Sequence, residues 1–168
     1  LVSCPTNSKT ALMVAVLLAP LWGPTGEAVG LQGTQAELIL ETVADDLEVP
    51  WSIDFTPDGR IFVTERIGRI RVIDPDGFKT HLWALLDVVH LRSTSLTGLA
   101  VDPDFATTRH SYVLGAFLDE HGQLRNQVRR LTDRDGQGHA PQVVLDNLPW
   151  TMIHGIGDLA FGPDGKMY

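Results

Sequence analysis

A chain of 168 residues with 43% apolar and 20% charged residues holds enough hydrophobic content to bury a core and is too apolar for a disordered segment. With 13 Lys and Arg against 21 Asp and Glu, the net charge of -8 supplies no basic field for phosphate backbones and argues against nucleic acid as a partner. There is no Gly-Lys-Ser phosphate loop, no Gly-x-Ser-x-Gly elbow and no cysteine pair, which sets aside the commonest nucleotide, acyl-transfer and thiol chemistries.

Residues 1–28 have the layout of a secretory signal peptide. Lys9 precedes an apolar run from Ala11 to Trp22, and the small-x-small ending Gly26-Glu27-Ala28 follows. The 12-residue run is short for a bilayer span, and a retained anchor or a buried helix is the other reading. Cys4, the only cysteine, lies upstream of the run, so the processed chain carries no thiol and depends on its core and any bound metal or cofactor. A periplasmic or secreted protein with no stable membrane span after cleavage is the expectation. Residues 29–36 read as a linker.

From Glu37 to Tyr168 no amphipathic helix is evident, and the expected class is all-β. Strands are predicted at 37–43, 51–55, 60–64, 69–73, 97–101, 111–117, 126–131, 142–145 and 158–161, as short apolar or alternating runs bounded by turn residues. Pro-Asp-Gly stands at 57–59, 75–77 and 163–165. Proline presets φ, aspartate bonds its own backbone and glycine accepts the positive φ that follows, so each is a hairpin signal. Pro57, Pro103 and Pro163 follow equivalent strand endings at intervals of 46 and 60 residues, the length of a four-stranded propeller blade with an insertion in the second. A β-sandwich or solenoid is the alternative, but a sandwich has no need of one strand-turn-strand phrase per blade length. Two to three blades alone would leave an apolar side uncovered, and the chain reads as the N-terminal part of a larger propeller, expected to fold poorly and to be inactive by itself.

Six phrases stand in one order: Leu47-Glu48-Val49-Pro50-Trp51-Ser52-Ile53, Val63-Thr64-Glu65-Arg66 running on to Val72, and Leu96-Thr97-Gly98-Leu99-Ala100 running on to Phe105. The others are Asn126-Gln127-Val128-Arg129-Arg130-Leu131, Val144-Leu145-Asp146-Asn147-Leu148-Pro149 and His154-Gly155-Ile156-Gly157-Asp158-Leu159. Together they closely resemble the soluble quinoprotein glucose/sorbosone dehydrogenase family, the PQQ-dependent aldose sugar dehydrogenases, over about 37–168. The resemblance implies a six-bladed β-propeller that binds pyrroloquinoline quinone and calcium and oxidises sugars at the anomeric carbon. It places His154 at the catalytic position, where a neutral imidazole takes the C1 hydroxyl proton. Gly155 and Gly157 suit a backbone passing close to a flat cofactor.

The sequence departs from that pattern at two places. Asp158 stands where the family commonly has Arg, which puts a negative charge near the site. Ser93, in Ser93-Thr94-Ser95, falls near a substrate-contacting Gln in a stretch usually rich in Gly. The family's main quinone-contacting and calcium-binding positions come after the point matching Tyr168, so no cofactor or metal ligand is assigned here, and the external electron acceptor stays unnamed. A non-catalytic propeller that binds a carbohydrate or protein partner, and a calcium-dependent propeller lactonase, remain open.

Residue by residue, the remaining candidates read as structural. His81, His90, His110, His121 and His139 lack metal-ligand spacing. Asp133-Arg134-Asp135-Gly136-Gln137-Gly138 begins like a calcium loop, but Val144 stands where the twelfth-position Glu is needed, so a hairpin turn is expected. Glu65-Arg66 and Arg129-Arg130 are candidates for contact with an anionic cofactor, and Trp51, Trp83 and Trp150 for stacking on a sugar or quinone, but charges on strand ends are more often solvated or paired and large aromatics between blades are usually packing.

Overall fold

The computed structural model describes residues 10–15, 39–91, 94–150 and 157–168. Ten strands occupy them: β1 (Thr10–Ala15), β2 (Leu40–Leu47), β3 (Pro50–Phe55), β4 (Ile61–Glu65), β5 (Arg69–Ile73), β6 (Thr80–Leu85), β7 (Leu96–Val101), β8 (His110–Leu118), β9 (Leu124–Arg134) and β10 (Gln137–Leu148). Among the described residues a single four-residue helix, α1 (Phe105–Thr108), links β7 to β8. No helix among them is long and apolar enough to cross a membrane.

The strands form two antiparallel four-stranded meanders, β3-β4-β5-β6 and β7-β8-β9-β10, each one propeller blade. The innermost strand of the second, β7, is buried at all six positions because it lies between neighbouring layers. That is why its sequence reads as a continuous apolar run rather than an alternation. Residues 157–168 begin a third unit with a bridge between Phe161 and Met167. Pro57 and Pro103 each follow the innermost strand of a blade, as the repeat predicts, whereas before Pro163 the strand expected at 158–161 is reduced to the single bridge at Phe161.

The main core lies between the two blades and includes Phe62, Ile70, Val72, Trp83, Leu96, Leu99, Phe105, Val113, Phe117 and Leu131. Trp83 of β6 meets the edge of Phe62, with ring centroids 4.9 Å apart. It also packs against Gly138 of β10, where an added Cβ would stand only 2.6 Å from a ring carbon. Nearby, Gln137 Nε2 donates to the Leu82 carbonyl at 3.2 Å, so the outer strands of both blades are joined by packing and by a hydrogen bond. Trp83 is packing, as expected.

β2 belongs to neither blade. Its Val43, Ala44 and Leu47 cover Ile61, Val63 and Ile73 on the outer face of the first blade. Ion pairs of Arg69 with Glu48 and of Arg71 with Asp46, both 2.7 Å, fix its end. The carboxylate of Glu65 is wholly buried beneath them and is paired with Arg69. The predicted strand at 37–43 is thus displaced to 40–47: Ile39 and Leu40 drew the sequence reading, but both are exposed. Thr10–Ala15, inside the expected signal peptide, pairs antiparallel with β2 in this structure.

The structure adds β6, which no predicted strand covers, and lengthens the β9–β10 hairpin well beyond 126–131 and 142–145. Asp135 and Gly136, with φ of 52° and 76°, make the tight turn between β9 and β10. The 133–138 segment is therefore a hairpin turn, as the missing Glu indicates.

Candidate active site

In each meander, alternate connections lie at opposite ends. One end carries the 56–60, 102–109 and 135–136 turns, held together where Arg60 Nη2 lies 2.6 Å from Asp133 Oδ2. The other end carries the 66–68 turn and the segments around Thr94 and Trp150. There Arg66 Nε donates to Ser95 Oγ at 3.0 Å, and Trp150 Nε1 donates to Thr94 Oγ1 at 3.2 Å.

His154 and Ser93 lie outside the described residues, which stop at Trp150 and Leu91 and resume at Gly157 and Thr94. Thr94 follows Ser93 directly, and Trp150 precedes His154 by four residues. Their hydrogen bond brings together the two connections that the sequence reading singled out, 56 residues apart. No local pattern signals this pair, because a hydroxyl and an indole so distant in sequence leave no spacing to read.

Asp158 reaches across the innermost strands. Its Oδ1 accepts from Ser52 Oγ on β3 at 2.8 Å, from the Leu99 amide on β7 at 3.4 Å and from the Leu159 amide at 2.9 Å. Asp54 does likewise between the first two strands: its Oδ2 accepts from the Val101 amide at 2.7 Å and its Oδ1 from the Phe55 amide at 2.8 Å. Gly98 makes the approach possible, since a Cβ there would sit 3.1 Å from the Asp158 backbone carbon. The resulting cleft, about 370 Å³, is lined by Ile53, Asp54, Leu99, Val101, Asp158, Leu159, Ala160 and Phe161. At Gly157, by contrast, an added Cβ meets no described atom within 4 Å.

The candidate cations have partners. The Arg66 guanidinium lies 5.0 Å from the centre of the Trp51 ring. Arg129 stands 3.5 Å from the centre of the Phe117 ring and donates through Nη2 to Gln127 Oε1 at 2.7 Å. Burial lowers the Arg129 pKa from its ordinary value, against the opposing pull of Asp146 and Asp87. Arg130 Nη2 donates to Gln142 Oε1 at 2.5 Å. These partners are aromatic rings and neutral amide oxygens rather than carboxylates.

The opposite end carries a cleft of about 580 Å³, lined by Arg60, Arg109, Asp133, Arg134, Asp135 and Gly136. Burial works to raise the Asp58 pKa, but hydrogen bonds from Arg60 and Thr56 outweigh it and hold the carboxyl below its ordinary value. A depressed folded pKa means the folded protein resists protonation more than the unfolded chain does. The resulting stability is present above about pH 4 and is lost as pH falls through the folded value. Arg60→Met is expected to flatten the acid limb of stability below about pH 4, read as melting temperature against pH in the full-length protein; an unchanged limb would separate Arg60 from the acid transition.

Residues 47–168 match the family described as glucose/sorbosone dehydrogenase. An uncharacterised protein from Synechocystis sp. is 31% identical over 144 residues, which cover 76% of this chain and 32% of that protein. A structure from Thermus thermophilus, described as an oxidoreductase (glucose dehydrogenase), is 40% identical with a TM-score of 0.67 over 76% of this chain and 38% of that one. The PQQ-bound aldose sugar dehydrogenase of Streptomyces coelicolor is 26% identical with a TM-score of 0.68, over 76% of this chain and 39% of that one. The chain therefore spans about a third of the length of these relatives.

Proposed function

Because the chain belongs to the glucose/sorbosone dehydrogenase family, we propose that the full-length protein is an exported dehydrogenase that oxidises an aldose at its anomeric carbon, with His154 as general base and PQQ, held with calcium, as electron acceptor. The family match carries this reading. The Thr94–Trp150 bond supports it, because it joins the segments flanking Ser93 and His154 at one end of the blades.

The described residues do not by themselves fit either cofactor. No group of three or more His, Cys, Asp or Glu stands close enough among them to hold a metal ion. The inner cleft presents the carboxylates of Asp54 and Asp158 among apolar side chains, a wall that disfavours an anionic quinone. The family resemblance places the proposed cofactor contacts in the full-length protein, outside the described residues.

The chemistry assigned to this chain is proton removal. An imidazole with an unperturbed pKa of about 6.5 is largely neutral near pH 7 and able to accept the C1 hydroxyl proton, leaving C1 to be oxidised to the lactone level. Product analysis checks the position of attack. The full-length protein with PQQ, calcium and an artificial acceptor should convert an aldose to its lactone or aldonic acid, whereas oxidation at any other carbon contradicts the assignment.

Export is expected to remove the chain to about Ala28, taking Thr10–Ala15 with it and baring the β2 edge to which that strand pairs. N-terminal sequencing of the exported protein tests this. A mature chain that still includes Lys9 refutes it.

A further inference from the structure

We propose that Asp158 is a positioning residue, a hydrogen-bond strut that holds the start of the third blade against the first two and so sets where the chain leaves the connection carrying His154. This inference rests on the reading of His154 as the base. The sequence suggests a different role for Asp158, a charge near the imidazole. Its contacts give that carboxylate structural work instead.

β3, β7 and the 157–161 segment belong to three separate units, and no backbone ladder joins β3 to β7 or either strand to 157–161 among the described residues. Side chains must register them. Asp158 Oδ1 takes donors from all three: Ser52 Oγ at 2.8 Å, the Leu99 amide at 3.4 Å and the Leu159 amide at 2.9 Å. Hydrogen bonds to a carboxylate are roughly twice as strong as neutral ones, and although Asp158 itself is exposed, the Ser52 and Leu99 donors are buried, at 6% and 2%. Gly98 leaves the space for this close approach, with Leu159 Cγ also 3.1 Å from the position of its missing Cβ. Asp54 repeats the device one strand earlier through the Val101 amide, which shows that inner strands in this chain are pinned by carboxylate to amide contacts. An arginine at 158, the residue common in the family, cannot accept these bonds.

Every one of these contacts uses Oδ1, so the carbonyl oxygen of asparagine can replace it, while leucine cannot. A charge acting on the imidazole would be lost in both variants alike. The two roles therefore separate experimentally.

The test compares Asp158→Asn, Asp158→Leu and Ser52→Ala in the full-length protein, by aldose turnover with PQQ and calcium and by hydrogen exchange at the Leu99 amide. Asp158→Asn should retain turnover near that of the parent. Asp158→Leu should lower kcat by about 10²-fold with KM little changed, as expected when a catalytic group is displaced by about 1 Å. Leu99 exchange should quicken in Asp158→Leu. Ser52→Ala, a milder change, should lower kcat by less and add nothing to Asp158→Leu, because both interrupt one contact. Equal losses in the Asn and Leu variants would overturn the strut in favour of a charge effect. Faster Leu99 exchange with unaltered kcat would reduce Asp158 to a purely structural residue and overturn the positioning role. Parent protein without aldose turnover would overturn the dehydrogenase reading and the positioning role with it, while Leu99 exchange would still report whether the strut exists.

Discussion

His154→Ala in the full-length protein, loaded with PQQ and calcium, is expected to lower kcat by about 10²–10⁴-fold with a smaller change in KM, the usual worth of a positioned general base. The asymmetry follows from the role. Proton removal matters in the transition state, whereas ground-state binding of a sugar rests on many other hydroxyl contacts. His154→Gln keeps a polar side chain of similar reach but provides no base of suitable pKa, and should be nearly as slow. Steady-state kinetics on both variants check this, and parent-like turnover in either removes His154 from the mechanism.

Trp83→Ala should cost about 3–5 kcal/mol of folding stability, the range for truncating a buried large aromatic. Trp83 is 1% exposed, meets Phe62 edge-on and seals the contact with Gly138 between the two blades. Its loss leaves a cavity bounded by two sheets whose strands are fixed by their own ladders, so little collapse can fill it. Leu82, on the same strand but 44% exposed, is the control, with Leu82→Ala expected to cost under about 1 kcal/mol. Denaturant unfolding of the full-length protein measures both, and equal small losses would mean that the blades do not meet through Trp83.

The turns were the most legible part of the fold. Asp58-Gly59, Asp76-Gly77 and Asp164-Gly165 demand a positive φ at glycine, and all three glycines have one, at 86°, 77° and 75°. Central strands were readable from their apolar runs because both faces are buried. Outer strands were harder. β6 buries Trp83 and Ala84 but exposes Leu82 and Leu85, and the bulge opposite Ile70 and Arg71 breaks the alternation that marks a strand. The Asp76-Gly77 turn nonetheless implied a partner for β5. In β10, Pro141 falls within a register shift between His139 and Gln142, where no regular ladder bond is required of it.

Much less of the site was legible. His154 enters through six phrases in family order, since a histidine between glycines has no chemistry of its own without a partner. The contact of Asp158 with Ser52 spans 106 residues and depends on how three blades meet. Sequence alone gives only its charge, and the charge pointed to the imidazole rather than to the strands. On β3 the apolar Trp51, Ile53 and Phe55 are all exposed, Trp51 under the Arg66 guanidinium and Ile53 at the cleft it shares with Leu99 and Val101.

The most direct measurement is acceptor reduction by the full-length protein reconstituted with PQQ and calcium, recorded with and without an aldose. The account predicts aldose-dependent turnover that disappears when PQQ is withheld and falls steeply in His154→Ala. A folded protein that binds PQQ yet reduces no acceptor with any aldose tested would contradict it.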